Sequence, residues 1–167
     1  EDPFYFNTKI SDEDGKIEGI INWFDALEPI NESYCNTIKT PMGGTHESGF
    51  KSGVFKAFKE FSKLKYEKKS SQINQEDLFG SSASILSVFL ENPEFQGQTK
   101  EKLSSIEPGR KIESKVKILF EQWLTSKTKS AEELFLYAFN RSQLRLQDRS
   151  NQIIDKNIKR KKTTLPG

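Results

Sequence analysis

One cysteine (Cys35), one histidine (His46) and one methionine (Met42) are all that 167 residues hold of those three types. A lone cysteine excludes a disulfide framework within the chain. A lone cysteine with a lone histidine also excludes a zinc site built from those residue types, which takes four nitrogen or sulfur ligands. No stretch approaches the roughly 20 consecutive apolar residues of a membrane-spanning helix, and hydrophobic residues make up only 34% of the chain. The expectation is a soluble protein of a reducing compartment, one ordinary domain with room for an appended helix. Phenylalanine, at 13 copies, has to supply much of the buried area.

Charge is scarce in net terms, at +2, but unevenly spread. From Arg141 to Lys162 eight basic side chains face two acidic ones, Asp148 and Asp155, so that stretch carries +6 and the first 140 residues carry −4. Such asymmetry fits either a phosphate-bearing neighbour or a solvated helix face.

Apolar alternation from Lys16 to Asp25 predicts a strand, and Ser33 to Lys39 predicts a second, the pair forming a hairpin across a polar turn around Asp25 to Asn31. Phe4-Tyr5-Phe6 reads as a short strand before the acidic turn Ser11 to Gly15. Helical spacing runs from Ser48 through Phe50, Val54, Ala57, Phe58, Phe61 and Leu64. Gln75-Glu76-Asp77 opens a short helical or irregular piece, Ala83 to Leu90 reads as a buried strand, and Glu91 to Lys102 as a polar loop. A second helix follows from Gly109. A third begins near Ser130 and carries Phe135, Phe139, Ser142, Leu146 and Ile153 close to a heptad seam. Its apolar residues cluster before Leu146 and its basic ones after, so its far half is expected to leave the core. Glu1-Asp2-Pro3 and Leu165-Pro166-Gly167 read as cuts through a longer protein.

Few residues can carry chemistry. His46 sits at a helix start, where Thr45 reads as the N-cap, and Cys35 alternates within a strand as core. No carboxylate pair falls at a spacing that imposes a shared function. The loop Gln96-Gly97-Gln98-Thr99-Lys100 offers two amides, a hydroxyl and an ammonium on a backbone loosened by Gly97, a donor set suited to a phosphate. No Walker-type loop exists in the chain. Arg141, Arg145 and Arg149 repeat every four residues along one helix face, either toward nucleic acid or toward solvent. No aromatics interleave with them, so base stacking is not implied.

Three motifs in fixed order carry a resemblance: Gly43-Gly44-Thr45-His46-Glu47-Ser48-Gly49-Phe50-Lys51, then Asn92-Pro93-Glu94-Phe95-Gln96-Gly97-Gln98-Thr99-Lys100-Glu101-Lys102-Leu103, then Leu165-Pro166-Gly167. Over essentially its whole length the chain resembles the transducer domain of the B subunits of bacterial type IIA topoisomerases. Phe95-Gln96-Gly97-Gln98-Thr99-Lys100 looks more like the topoisomerase IV branch than the gyrase branch. Asp77-Leu78-Phe79-Gly80-Ser81 departs from the family's Asp-x-Arg-Glu-Gly pattern.

The resemblance implies an α+β fold like the second domain of ribosomal protein S5, with a four-stranded sheet, helices on one face and a left-handed crossover. It implies a transducer core over 1–128, with 129–167 as a long C-terminal helix and basic linker toward the cleavage (Toprim) domain. The parent protein is then an ATP-hydrolysing DNA topoisomerase that uses ATP and Mg2+, while this segment alone hydrolyses no ATP and holds neither ligand nor metal. Gln98 and Lys100 map onto the γ-phosphate contacts, with Lys100 as the catalytic residue. Lys51, Arg141, Arg145 and Arg149 are the candidates for facing DNA. Implied partners are DNA, the topoisomerase IV A subunit and a second B subunit joined through the ATPase domain, without a membrane, in the bacterial cytoplasm and nucleoid. The alternative is a stand-alone basic nucleic-acid-binding module.

Overall fold

A computed structural model describes residues 2–24 and 28–163. The Leu165-Pro166-Gly167 motif and the Asp25–Leu27 part of the predicted turn lie outside those residues, as do the side chains of Lys161 and Lys162. Eleven elements follow in chain order: β1 (Phe4–Ser11), β2 (Gly15–Trp23), β3 (Ile30–Cys35), β4 (Ile38–Lys39), α1 (Thr45–Ser70), α2 (Gln75–Phe79), β5 (Ser82–Phe89), β6 (Phe95–Gln96), β7 (Lys102–Leu103), α3 (Ile106–Ser126) and α4 (Thr128–Thr163).

The class is α+β, as expected, but the main sheet has five strands rather than four, in the order β1-β2-β5-β3-β4. The predicted hairpin of β2 and β3 does not form. β5 lies between them, antiparallel to β2 and parallel to β3. Sequence neighbours pair only about two-thirds of the time, and β5 takes the middle because Ser82, Ser84, Leu86 and Val88 make it buried along its inner face. The stretch Ser33–Lys39 is itself a hairpin, since Asn36 and Thr37 both take positive φ (49° and 68°) and turn β3 back into β4. That is the backbone of a two-residue turn matched to strand twist. Asn36 is pinned there: its amide donates to the Leu90 carbonyl at 2.9 Å and its Oδ1 accepts the Leu90 N–H at 2.8 Å.

Helices cover one face of the sheet. α1 starts three residues before the expected Ser48 and runs 26 residues, with a break at Tyr66 (φ −140°, ψ 48°). It packs along α3 so closely that a Cβ on Gly49 would stand 2.3 Å from the Gly109 carbonyl oxygen. Phenylalanine does fill the core. Phe50, Phe6, Phe4 and Phe120 touch in sequence, with ring centroids 4.8–5.9 Å apart, and Phe120 reaches Trp23 and Trp123. Each such ring, fully buried, contributes about 1.5–3 kcal/mol.

α4 begins at Thr128, after Lys127 breaks the helical path (φ −111°, ψ 60°). Its first half is anchored by Ala131, Leu134, Phe135 and Ala138, all buried, and Phe135 stacks on Tyr66 at 3.9 Å. From Leu144 to Arg160 the helix has left the core, apart from half-buried Arg145. Among the described residues no helix is long and apolar enough to cross a membrane.

Candidate functional site

The stretch expected to be an unstructured polar loop is a small hairpin. β6 and β7 pair Phe95 with Leu103 and Gln96 with Lys102, leaving Gly97 to Glu101 as the connection. Leu103 is buried and Phe95 half-buried, so the apolar pair seats the hairpin. Its base is tied by Ser104 N–H donating to the Glu94 carbonyl and Glu94 N–H donating to Ser105 Oγ, both at 2.8 Å. Gly97 (φ 82°) and Lys100 (φ 56°) occupy left-handed backbone conformations, an unusual state for a lysine. Gln98, Thr99 and Lys100 all stand exposed at the tip.

Beside the hairpin lies an open groove of about 930 Å³, lined among others by Gly44, Ser48, Lys51, Gln96, Lys102 and Arg110. Lys51 does not reach into it unpaired, because its Nζ donates to Glu47 at 2.7 Å, one helical turn back. Glu47 in turn accepts a 3.3 Å hydrogen bond from Ser33 Oγ. Behind it runs a buried chain: Ser33 Oγ to Thr40 Oγ1 at 2.8 Å, and Thr40 Oγ1 to His46 Nε2 at 3.0 Å. Burial drives the His46 pKa from 6.5 down to about 4, against a smaller opposing pull from Glu47. The imidazole is therefore neutral. Its Nδ1 has no hydrogen-bond partner among the described residues, which favours the tautomer with the proton on Nε2, donating to Thr40. His46 is structural.

Thr45 is not the helix cap. Gly44 holds that position with no side-chain hydrogen bond, and Thr45 is the first helical residue, its hydroxyl buried against α3 beside Gly109. Cys35 is fully buried, and desolvation lifts its thiol to about 11, as its place in the core leads one to expect.

Two members of the arginine row are bound within the fold. Arg145 donates from Nε and Nη2 to both Asp77 oxygens at 2.9 Å, and Nη2 also reaches the Gln72 carbonyl at 2.8 Å. Arg141 donates to Ser81 Oγ at 2.6 Å and lies over the Tyr137 ring. Arg149 is exposed. Of the three guanidinium groups expected along one helix face, toward nucleic acid or toward solvent, two satisfy groups at the α2–β5 junction. Sequence reading passed over Asp77 as a functional carboxylate. Its signal was the spacing Asn74-x-x-Asp77, a reciprocal capping box that the structure forms in full.

The fold and the hairpin define a class of protein: a two-layer α+β domain that projects a polar Gln-x-Lys tip and sends one long basic helix away from the core. The DNA gyrase B family model matches residues 1–153, and the chain belongs to that family. It is 38% identical over 159 residues to the B subunit of DNA topoisomerase 4 from Caulobacter vibrioides, covering 93% of this chain and 23% of that protein. To its counterpart in Rickettsia prowazekii it is 33% identical, covering 98% of this chain and 25% of that protein. The chain therefore spans about a quarter of the length of these relatives. Among solved structures, the topoisomerase IV ATP binding domain of Francisella tularensis in complex with a small-molecule inhibitor superimposes with TM-score 0.77 at 30% identity, over 86% of this chain and 40% of that one. The 43K ATPase domain of Thermus thermophilus gyrase B, in complex with an aminocoumarin, matches with TM-score 0.77 at 24% identity, over 92% of this chain and 41% of that one, a likeness of fold. The similarity to topoisomerase IV B subunits agrees with the form of the Phe95–Lys100 motif.

Proposed function

We propose that this chain is the transducer segment of an ATP-dependent type II topoisomerase B subunit, and that Gln98 and Lys100 report the state of the ATP γ-phosphate. The observation that carries the reading is the hairpin tip: two side chains with amide and ammonium donors, exposed at the end of a tied two-stranded arm, with no carboxylate between them. That donor set fits a phosphate. When bound, the nucleotide supplies a terminal anion for hydrolysis. Lys100 brings a compact positive charge to that anion and Gln98 orients it through its amide. The contact exists only while the terminal phosphate is present, so its loss releases the arm, and only a differential contact of this kind shifts a domain equilibrium. Among the described residues no group of three or more His, Cys, Asp or Glu side chains is placed to hold a metal ion.

DNA is the proposed cargo and the topoisomerase IV A subunit the proposed partner. The competing reading of a stand-alone nucleic-acid binder rests on the arginine row, of which Arg141 and Arg145 are bound internally. The deciding experiment measures ATP turnover and nucleotide affinity of the full-length B subunit and its Lys100→Ala variant. Turnover is expected to drop by about a hundredfold or more with affinity little changed, the scale of losing one preorganised donor at developing charge. Unchanged turnover overturns the reading.

A further inference from the structure

The Gly43-Gly44 pair is a prominent motif to which the phosphate-sensing reading gives no task. The structure places it where it joins three elements through backbone alone. Met42 N–H donates to the Glu101 carbonyl at 3.0 Å, and Leu103 N–H donates to the Gly43 carbonyl at 3.1 Å, so both ends of the second hairpin arm are tied to this segment. Gly44 and Leu103 form a parallel bridge. On the other side the Gly44 carbonyl accepts the Ser48 N–H at 3.0 Å, an opening hydrogen bond of α1. Gly43 N–H closes a turn onto the Thr40 carbonyl at 2.9 Å, and Thr40 holds His46 of α1.

We infer that Met42–Gly44 is the strap through which the position of the Gln98–Lys100 tip reaches α1, and that Gly44 is its positioning residue. The inference rests on the phosphate-sensing reading of that tip. No flexible side chain intervenes between Glu101 and the first turn of α1, so displacement of the hairpin arm cannot be absorbed without breaking backbone hydrogen bonds. Gly44 is required for the close approach. At φ 141° it occupies a conformation that side chains disfavour, and a Cβ there would stand 2.3 Å from the Leu103 carbonyl oxygen and 2.6 Å from its nitrogen. Gly43 shares the left-handed backbone (φ 65°), but the atoms nearest a Cβ on it belong to the Glu47 side chain rather than to the backbone of the hairpin arm. From α1 the displacement passes to α3 at the Gly49–Gly109 contact, and α3 runs on into α4.

The test is amide hydrogen exchange of the full-length B subunit in complex with its A subunit, with and without a non-hydrolysable ATP analogue. The analogue should slow exchange at 97–101 and at 40–50 together. Protection at 97–101 alone overturns the strap while leaving the phosphate-sensing reading intact. Protection at neither segment removes that reading and the strap with it. Gly44→Ala should keep the analogue's protection at 97–101, lose it at 40–50, and lower strand passages per ATP hydrolysed by about tenfold, the weight of roughly one net hydrogen bond. Gly43→Ala, which adds left-handed backbone strain but no clash with the hairpin arm, should lower overall stability while keeping both protections and the coupling ratio. A Gly44→Ala variant that retains both overturns the role of that residue, and if it fails to fold, the parent protein's exchange pattern still decides the matter.

Discussion

Arg145 grips Asp77 with two parallel 2.9 Å hydrogen bonds across 68 residues of sequence, and so fixes α4 against α2 at the last point where the long helix touches the core. Asp77 is 3% exposed, and it also caps α2 by accepting the Asn74 N–H at 2.9 Å. Removing the guanidinium strands a buried carboxylate. Arg145→Ala should therefore cost about 3 kcal/mol in urea unfolding. Arg145→Lys should fall between, since it restores charge without the two-pronged geometry. A loss below about 0.5 kcal/mol for the alanine variant, the range of ordinary surface changes, would show that the pair is solvated.

Acid should weaken the fold through His46. Above pH 6.5 the imidazole is neutral in both states and contributes nothing to the pH dependence. Between 6.5 and about 4 the unfolded chain takes up a proton that the buried ring refuses. Stability thus falls as pH falls through that window and levels off below it, by about 3 kcal/mol in all. Because this is the chain's only histidine, its ring protons can be followed by NMR without assignment. A titration midpoint near 6.5 would contradict the buried, neutral ring, and His46→Gln should flatten this part of the stability profile.

Much of the helical layer was legible in the sequence, because Phe50, Val54, Ala57 and Phe58 repeat at the period of the surface they bury. Strand existence was legible too, but strand neighbours were not. Alternation in β2 and β3 says which side of each faces the core and nothing about which strand lies beside it, so β5 could insert unannounced. β6 and β7, at two residues each, are too short for any period to register. In the site, the Gln98–Lys100 tip was readable as a donor set. The Asp77–Arg145 pair was not, since nothing local links residues so far apart, and the row of arginines looked uniform until Asp77 and Ser81 claimed two of them.

Cys35 should be inert in the native protein. It is fully buried, and a thiol raised to about 11 presents almost no thiolate at pH 8. A disulfide reagent such as Ellman's should react with one thiol per chain in denaturant and with essentially none without it. Stoichiometric reaction of the folded chain within seconds would mean that β3 opens readily, and would set aside the tight pairing of β3 against β5.

Salt dependence of duplex binding separates the arginines by what they already hold. Each phosphate neutralised by a side chain adds about 0.9 to the slope of log affinity against log salt. Arg145 has its charge matched by Asp77 and donates also to Gln72, so it gains little by meeting a phosphate without first breaking that ion pair. Arg149 stands exposed on the same helix. If α4 meets DNA, Arg149→Ala in the full-length B subunit should lower the slope by about 0.9, while Arg145→Ala, measured at a temperature where it remains folded, should leave the slope unchanged despite its lower stability. Equal reductions from both would place Arg145 on DNA and would mean that the Asp77 pair opens when the helix binds.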